Sequence, residues 1–133
     1  MRKKTRKKFL KYEASDLLKD ASLFDGCKLL IKKLRDYEPK YLRELVREIA
    51  NQDPCSITIL INLADKLYVF GSAGEEAIKE GANIAKLIDD LKNITEGKGG
   101  GSPRLIQLLT DRKDKVGEVE RYLRENAKKI LEK

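Results

Sequence analysis

A glycine cluster carries the clearest chemical signal in the sequence. Segment 97–104 reads Gly-Lys-Gly-Gly-Gly-Ser-Pro-Arg, and consecutive glycines let another chain or a ligand approach the backbone closely. Ser102 followed by Pro103 is typical of a helix N-terminus. The free N–H groups of such a helix, with Lys98 and Arg104 beside them, predict a seat for an anion such as a nucleic-acid phosphate. A flexible link or a tight packing bend is the alternative interpretation.

The N-terminus is a second candidate for anion binding. The net charge of the chain is +7, and the excess lies within the first eleven residues, which contain no acid. A basic arm of this kind favours phosphate backbones through counterion release, without sequence selectivity. A solvated chain end is the alternative. The cations are Arg2, Lys3, Lys4, Arg6, Lys7, Lys8 and Lys11.

Residues suited to catalysis or metal binding are few. The chain has no histidine, and Cys27 and Cys55 lack the spacing of metal ligands. Both cysteines are expected to be buried free thiols, with a disulfide as the alternative. Acid pairs such as Asp89-Asp90 are sequence neighbours on a solvated helix face. We therefore predict no catalytic site, no metal and no cofactor in this chain.

Length and composition indicate one domain with a modest core. The chain has 133 residues, of which 41% are hydrophobic and 38% charged. No apolar run approaches the roughly 18 residues that a membrane helix needs, and the N-terminus lacks the apolar segment of a secretion signal. The composition predicts a cytoplasmic protein without membrane contact.

Hydrophobic spacing predicts the elements of the first half of the chain. A helix is expected from residue 3 to about Leu23, closed by the turn Asp25-Gly26. A strand then precedes an amphipathic helix that begins near Pro39 and ends near Asn51. This helix presents Leu42, Leu45, Val46 and Ile49 to the core. The predicted strands cover residues 27–34, 56–62 and 66–71, the last two as a hairpin.

The second half is predicted to be helical around the glycine cluster. One long helix is expected from about residue 74 to 94, a brief apolar helix or turn at 105–109, and a last helix from Asp111. The last helix has an apolar seam of nearly heptad spacing, which we expect to dock onto the sheet of its own domain; self-association is the alternative. The seam consists of Val116, Val119, Leu123 and Ile130. The order predicts an α+β fold, with a small mixed β-sheet packed with helices, a helical linker before it and a long helix at its end.

The element order and the glycine segment together resemble a known family. Segment 84–88, Ile-Ala-Lys-Leu-Ile, and segment 94–107, Ile-Thr-Glu-Gly-Lys-Gly-Gly-Gly-Ser-Pro-Arg-Leu-Ile-Gln, are similar to the C-terminal (DHH-associated, C-Ala) domain of alanyl-tRNA synthetase. RecJ-like phosphoesterases share this domain family. The resemblance covers residues 23–133, and residues 1–22 look like the end of the basic helical linker before the domain. Ser102 stands where the RecJ-like branch usually has histidine, and the DHH catalytic half is missing.

The resemblance implies a non-catalytic domain that binds tRNA, in particular alanine tRNA, at its outer corner and links aminoacylation with editing. Its implied partners are the catalytic and editing parts of alanyl-tRNA synthetase, so the chain would be part or a subunit of a ligase. A homodimer through the C-terminal helix is a further implication. The alternatives are a dimerisation or protein-interaction module and a nucleotide-binding remnant of a RecJ-like phosphoesterase. The predicted nucleic-acid-binding residues are Lys98, Gly99, Gly100, Gly101, Ser102, Arg104, Arg2, Lys3, Lys4, Arg6, Lys7 and Lys8; Pro103 completes the signature segment.

Overall fold

A mixed β-sheet lies at the centre of the computed structural model, which describes residues 3–131 and the side chains of residues 9–130. The six described strands follow the order β1-β2-β3-β4-β6-β5. Strands β2 and β3 are parallel, because α2 connects them, and every other neighbouring pair is antiparallel. The main elements are α1 (Lys3–Leu18), β1 (Ser22–Phe24), β2 (Cys27–Arg35), α2 (Pro39–Gln52), β3 (Ser56–Leu63), β4 (Leu67–Ala73), α3 (Glu75–Lys79), α4 (Ile88–Thr95), β5 (Lys98–Gly101), β6 (Leu105–Thr110) and α5 (Val116–Asn126). Short 3-10 turns cover Ile84–Leu87, Lys113–Lys115 and Ala127–Leu131.

Helices cover both faces of the sheet, so β3 is buried on both sides. Ile59 and Ile61 of β3 point to a core shared with α3, α4 and α5. Leu60 points the other way, towards Tyr68 and Phe70 of β4 and the helices α1 and α2. The strand alternates strictly between the two faces, as its period of two requires. The predicted α+β fold with a mixed sheet is confirmed.

Helix α2 forms where its apolar stripe predicts it. The helix begins at Pro39, which suits the first helical position because proline has no N–H to leave unsatisfied. Its four predicted core side chains are each at most 1% exposed; they are Leu42, Leu45, Val46 and Ile49. Burial of four such side chains stabilises the fold by roughly 6–12 kcal/mol before the entropic cost of ordering.

The first helix is shorter than the sequence predicts. It ends at Leu18, and the expected last turn is instead strand β1. Asp25 and Gly26 have φ values of 51° and 82°. Two successive residues with positive φ form the tight turn that joins antiparallel strands, so Asp25-Gly26 closes a β1–β2 hairpin rather than a helix.

The predicted long helix at 74–94 is interrupted. Helix α3 ends at Lys79, and Gly81 has φ +103°, which no continuous right-handed helix allows. Asn83 caps the N-terminus of the next helical segment, because its side-chain oxygen accepts a hydrogen bond of 3.1 Å from the backbone N–H of Ala85. The region is therefore α3, a 3-10 turn and α4 rather than one helix.

The apolar seam of the last helix docks onto its own domain, as expected. Val119 and Leu123 are fully buried, Ile130 is 6% exposed, and Val116 packs against the same core. Residues 105–109, predicted as a helix or turn, belong to strand β6 instead. Among the residues described, no helix has the length and apolar character to cross a membrane.

The two cysteines form a disulfide, so the expectation of free thiols is wrong. Lys28 of β2 pairs with Ser56 of β3 in the parallel register, which places the preceding residues, Cys27 and Cys55, side by side. Their Cα atoms are 4.8 Å apart. This separation lies within the range that a disulfide spans. The pairing follows from strand register, which the separate strand patterns do not reveal.

Candidate nucleic-acid interface

The glycine cluster forms an edge strand rather than a loop. Strand β5 contains Lys98–Gly101 and pairs antiparallel with β6, with Gly100 opposite Gln107. A Cβ atom on Gly99 would lie 2.2 Å from the Gln107 carbonyl oxygen, and one on Gly101 would lie 2.3 Å from that of Leu105. A Cβ on Gly100 would meet nothing within 4 Å. Close approach is therefore required at alternate glycines, and the chain that approaches is β6.

Ser102, Pro103 and Arg104 form the turn of the β5–β6 hairpin, so the predicted helix N-terminus is wrong. The Ser102 N–H donates to the Leu105 carbonyl at 2.8 Å, and the Ser102 hydroxyl accepts from the Arg104 N–H at 3.3 Å. The Ala73 N–H donates to the Arg104 carbonyl at 2.9 Å, which fixes the turn on the end of β4. The Arg104 side chain remains exposed.

The hairpin hydrogen bonds also set the direction of the β5 backbone groups. Antiparallel ladders alternate between hydrogen-bonded and non-hydrogen-bonded pairs. Because Ser102 and Leu105 are hydrogen-bonded, the next such pair is Gly100 with Gln107. The N–H groups of Gly99 and Gly101 then point away from β6, along the open edge of the sheet. Backbone N–H donors therefore lie near the predicted anion site, but on the edge of a strand rather than at a helix N-terminus.

A groove lies between α2 and the β6–β5 edge of the sheet, and we call it the α2–β5 groove. Arg43 and Arg47 of α2 form one wall, and Gly100 and Gln107 form the other. Phe70 of β4 lies at its floor and is 5% exposed. Helix α2 packs mainly on β3 and β4, and the groove separates it from the β6–β5 edge. The full lining adds Val46, Gly101, Ser102, Leu105 and Ile106 at one end, and Pro39, Tyr68, Lys98, Gly99, Leu108 and Leu109 at the other.

One hydrogen bond crosses the groove, and both of its residues line the two compartments of the groove. The Arg43 guanidinium donates to the Gln107 side-chain oxygen at 3.1 Å, from α2 across to β6. The compartment beside Arg47 has a volume of about 630 Å³, and the one beside Lys98 about 280 Å³. Both residues of the bridge are exposed, so an incoming anion can take the place of the Gln107 oxygen on Arg43.

The groove is electropositive. Arg43, Arg47 and Lys98 line it, and none of the described residues that line it is an acid. Within the described part of the chain, Arg47, Lys98 and Arg104 take part in no ion pair. Three separated guanidinium or ammonium groups above a largely apolar floor can hold phosphate groups as charge-assisted partners.

Several cations of the last helical region are, in contrast, neutralised. Arg112 bonds to Asp114 at 3.1 Å and to Glu96 at 3.0 Å. Arg124 bonds to Glu120 at 2.9 Å. These contacts raise the pKa of Arg112 and lower the pKa values of Asp114 and Glu120. The balanced charge on this side of the sheet leaves the α2–β5 groove as the stronger candidate for an anionic ligand.

The structure brings together only part of the predicted set of residues. Lys98, Gly99, Gly100, Gly101 and Ser102 line the groove. Arg104 lies on the adjoining turn. Arg2 lies outside the described residues. The backbones of the other N-terminal cations lie in α1, where their side chains are outside the described part; these residues are Lys3, Lys4, Arg6, Lys7 and Lys8.

Three polar residues of the groove, Arg43, Arg47 and Gln107, are not among the sequence-predicted binding residues. Arg43 and Arg47 are exposed, and their spacing of four places both on one helix face. Gln107 belongs to the segment that carries the family resemblance, where its type alone does not indicate a binding role. A usable signal was the position of both arginines beside Val46, on the flank of the apolar stripe. Among residues 9–130, no group of three or more His, Cys, Asp or Glu side chains could hold a metal ion.

The chain is similar to known proteins in sequence and in fold. No family model matches the sequence. The alanine–tRNA ligase of a Thermoanaerobacter species is 26% identical over 107 residues, which are 80% of this chain and 12% of the relative. The chain thus spans about an eighth of that relative. In structure, it is similar to the C-Ala domain of Aquifex aeolicus alanyl-tRNA synthetase, with a TM-score of 0.68 and 22% identity over 86% of this chain and 99% of that one.

A second solved structure shares the fold more distantly. The pGpG-specific phosphodiesterase from Vibrio cholerae matches with a TM-score of 0.53 and 15% identity, over 94% of this chain and 40% of that one. This likeness concerns the fold alone. Sequence similarity to an alanine–tRNA ligase and the fold of a C-Ala domain together confirm the resemblance of this chain to the C-terminal (DHH-associated, C-Ala) domain of alanyl-tRNA synthetase.

Proposed function

We propose that this chain is a non-catalytic tRNA-binding and assembly domain that serves alanyl-tRNA synthetase in the cytoplasm. Its likeness to alanine–tRNA ligases supports an accessory role beside such an enzyme. The observation that carries RNA binding is the α2–β5 groove, which Arg43, Arg47 and Lys98 line without any carboxylate among its described residues. Alanine tRNA is the proposed ligand.

Phosphate contacts in the groove would dominate this binding. The guanidinium groups of Arg43 and Arg47 offer paired donors that match phosphate oxygens, and the outward N–H groups of β5 face the same edge. Arg104 extends the row of cations beyond the groove. Phe70 and Tyr68 are 5% and 8% exposed, so little aromatic surface is available for base stacking. The groove would therefore recognise the shape and backbone of folded RNA rather than base sequence.

The assembly role rests on the N-terminal helix. We propose that residues 1–22 act as a basic linker towards the catalytic and editing parts of the synthetase, and that residues 23–133 form the tRNA-binding domain. Ala14 and Leu17 of α1 are buried against the α2 side of the sheet. This contact fixes the direction in which α1 leaves the domain. The N-terminal cations would add further phosphate contacts beside the linker.

The test is binding of alanine tRNA and of an unrelated tRNA at two salt concentrations. The Arg43→Ala/Arg47→Ala variant should lose up to two phosphate contacts. The negative slope of log K against log salt should then become less steep by about 1.4–1.8. The matched control is Arg121→Ala/Arg124→Ala, which removes the same charge from α5, on the other face of the sheet. Unchanged affinity and slope in the α2 variant would refute the groove as the RNA site.

Two further measurements separate the alternatives. Self-association predicts a mass that rises with concentration, yet the seam proposed for it is buried in this domain's own core, with Val119 and Leu123 fully covered. A RecJ-like remnant predicts saturable binding of a mononucleotide in the 630 Å³ compartment. Mononucleotide binding without tRNA binding would favour this alternative.

A further inference from the structure

A second cavity lies between α1 and the first turn of α2, next to the α2–β5 groove but with a different lining. Its volume is about 610 Å³. Three aromatic rings line it, from Phe9, Tyr37 and Tyr41. The centroids of Phe9 and Tyr41 are 6.4 Å apart, and those of Tyr37 and Tyr41 are 5.9 Å apart. The cavity opens to solvent beside Phe9, which is 49% exposed.

The three rings are tilted rather than stacked on one another. The planes of Phe9 and Tyr41 meet at 37°, and those of Tyr37 and Tyr41 at 36°. All three residues line the cavity, so a ligand there lies beside aromatic rings. Aromatic faces carry negative electrostatic potential and attract ammonium groups within about 6 Å of the ring centroid.

A carboxylate behind the rings reinforces this potential. Glu13 of α1 accepts hydrogen bonds from the hydroxyls of Tyr37 and Tyr41, the latter at 2.6 Å. Burial and the Glu13 carboxylate raise the pKa of Tyr37 to about 12, so its hydroxyl stays protonated as a donor. Donation to a carboxylate enriches the ring in electron density, which strengthens its attraction for a cation.

The charges around the cavity favour a cationic ligand. Glu13, Asp36 and Glu38 line it, and Arg35 is the one cation in the described lining. The described part of the lining thus carries a net charge of −2, from three acids and one base, in a chain of net charge +7. This charge is opposite in sign to that of the α2–β5 groove, so the two sites select different partners.

We propose that this cavity binds an alkylammonium group, supplied by a lysine side chain of a protein partner. Aromatic walls hold the methylene groups and the ammonium group, and the rim carboxylates neutralise its charge. Glu38, at the start of α2, lines the cavity, and the next residue, Pro39, lines the α2–β5 groove. A protein partner and an RNA can therefore occupy adjacent sites, and the lysine site does not depend on RNA binding.

The test is a ¹H–¹⁵N NMR titration of the 133-residue chain with three probes. They are an acetylated and amidated tri-lysine peptide, the same peptide with all three ammonium groups acetylated, and spermidine, whose charge matches that of the first. We expect saturable shifts for residues 35–41 with the charged peptide, weaker binding of spermidine, and no shifts with the neutral peptide. Equal binding of the neutral peptide, or no binding, would overturn the proposal. Tighter binding of spermidine than of the charged peptide would overturn a protein source for the ammonium group.

Variants then assign the contacts. Phe9→Leu keeps an apolar side chain but removes one ring, and should weaken peptide binding about two- to thirtyfold. Tyr12→Leu is the matched control, because Tyr12 is 69% exposed on the same helix and outside the cavity lining. Glu38→Lys reverses an exposed rim charge without touching the core, and should abolish the shifts. Wild-type affinity in both Phe9→Leu and Glu38→Lys would refute the site.

Discussion

The glycine strand allows a sharp test, because neighbouring glycines should respond in opposite directions. We consider Gly99→Ala and Gly101→Ala against Gly100→Ala as an internal control. The added Cβ would lie 2.2 Å from a carbonyl oxygen at position 99 and 2.3 Å at position 101, and would meet nothing within 4 Å at position 100. If the segment were a flexible loop, all three substitutions would have similar small effects.

The magnitude follows from the displacement that the new atom requires. To lengthen the contact at Gly99 from 2.2 Å to 3.0 Å, strand β5 must move away from β6 by about 0.8 Å. Overpacking of this kind costs about 1–3 kcal/mol, and weakening the adjacent ladder bonds costs about 0.5–1.5 kcal/mol each. We expect a loss of about 2–4 kcal/mol for Gly99→Ala and for Gly101→Ala. Gly100→Ala should gain about 0.4–1 kcal/mol, because alanine restricts the unfolded chain.

Thermal and urea unfolding followed by circular dichroism would measure the series. For a domain of this size, a loss of 2–4 kcal/mol lowers Tm by roughly 6–15 °C, while Tm of Gly100→Ala should stay level or rise. A Gly100→Ala variant as unstable as Gly99→Ala would refute the alternating geometry. Three unchanged variants would show that β5 does not pair with β6 in solution.

Two further predictions concern stability. Replacement of Cys55 by Ser opens a loop of sequence separation 28 and should cost about 3.6 kcal/mol by the loop-entropy relation, seen as a Tm fall of roughly 10–15 °C; an equal Tm with and without reductant in the wild type would contradict it. For Glu120, hydrogen bonds from Arg124 and then Lys33 lower its pKa below the usual 4.5. The contribution of ionised Glu120 to the free energy of unfolding is therefore full above pH 4.5 and is lost as pH falls through the folded-state pKa. Urea unfolding of wild type and Glu120→Gln should differ at pH 7 and converge at low pH, and a difference that grows with acid would refute this assignment.

The sequence predicts elements well where the hydrophobic pattern suits one period only. The α2 stripe of Leu42, Leu45, Val46 and Ile49 repeats at helical spacing, and the structure buries all four. Segment 56–62 is so rich in β-branched residues that only a strand suits it. In both cases, local propensity and tertiary burial agree, so the prediction needs no knowledge of neighbours.

Segment 105–109 shows why other predictions were wrong. Leu105, Ile106, Leu108 and Leu109 stand at spacings of one, three and four, which a short helix also satisfies. The structure buries Ile106 and Leu108 and leaves Leu109 41% exposed, the alternation of a strand. Only pairing with β4 and β5 distinguishes the two, and pairing partners are not visible in a local pattern. The disulfide depends on strand register in the same way.

The predicted anion seat depended on a helix N-terminus that does not exist, yet the same segment lines the groove. The three glycines of the strand have different surroundings. Gly99 and Gly101 are glycines because β6 lies too close for a side chain, while Gly100 has open space in front of it. A side chain at position 100 would project beside Gln107 and narrow the compartment that Arg47 lines. The two outer glycines therefore allow β5 to pair closely with β6, and the central one leaves this compartment of the groove open.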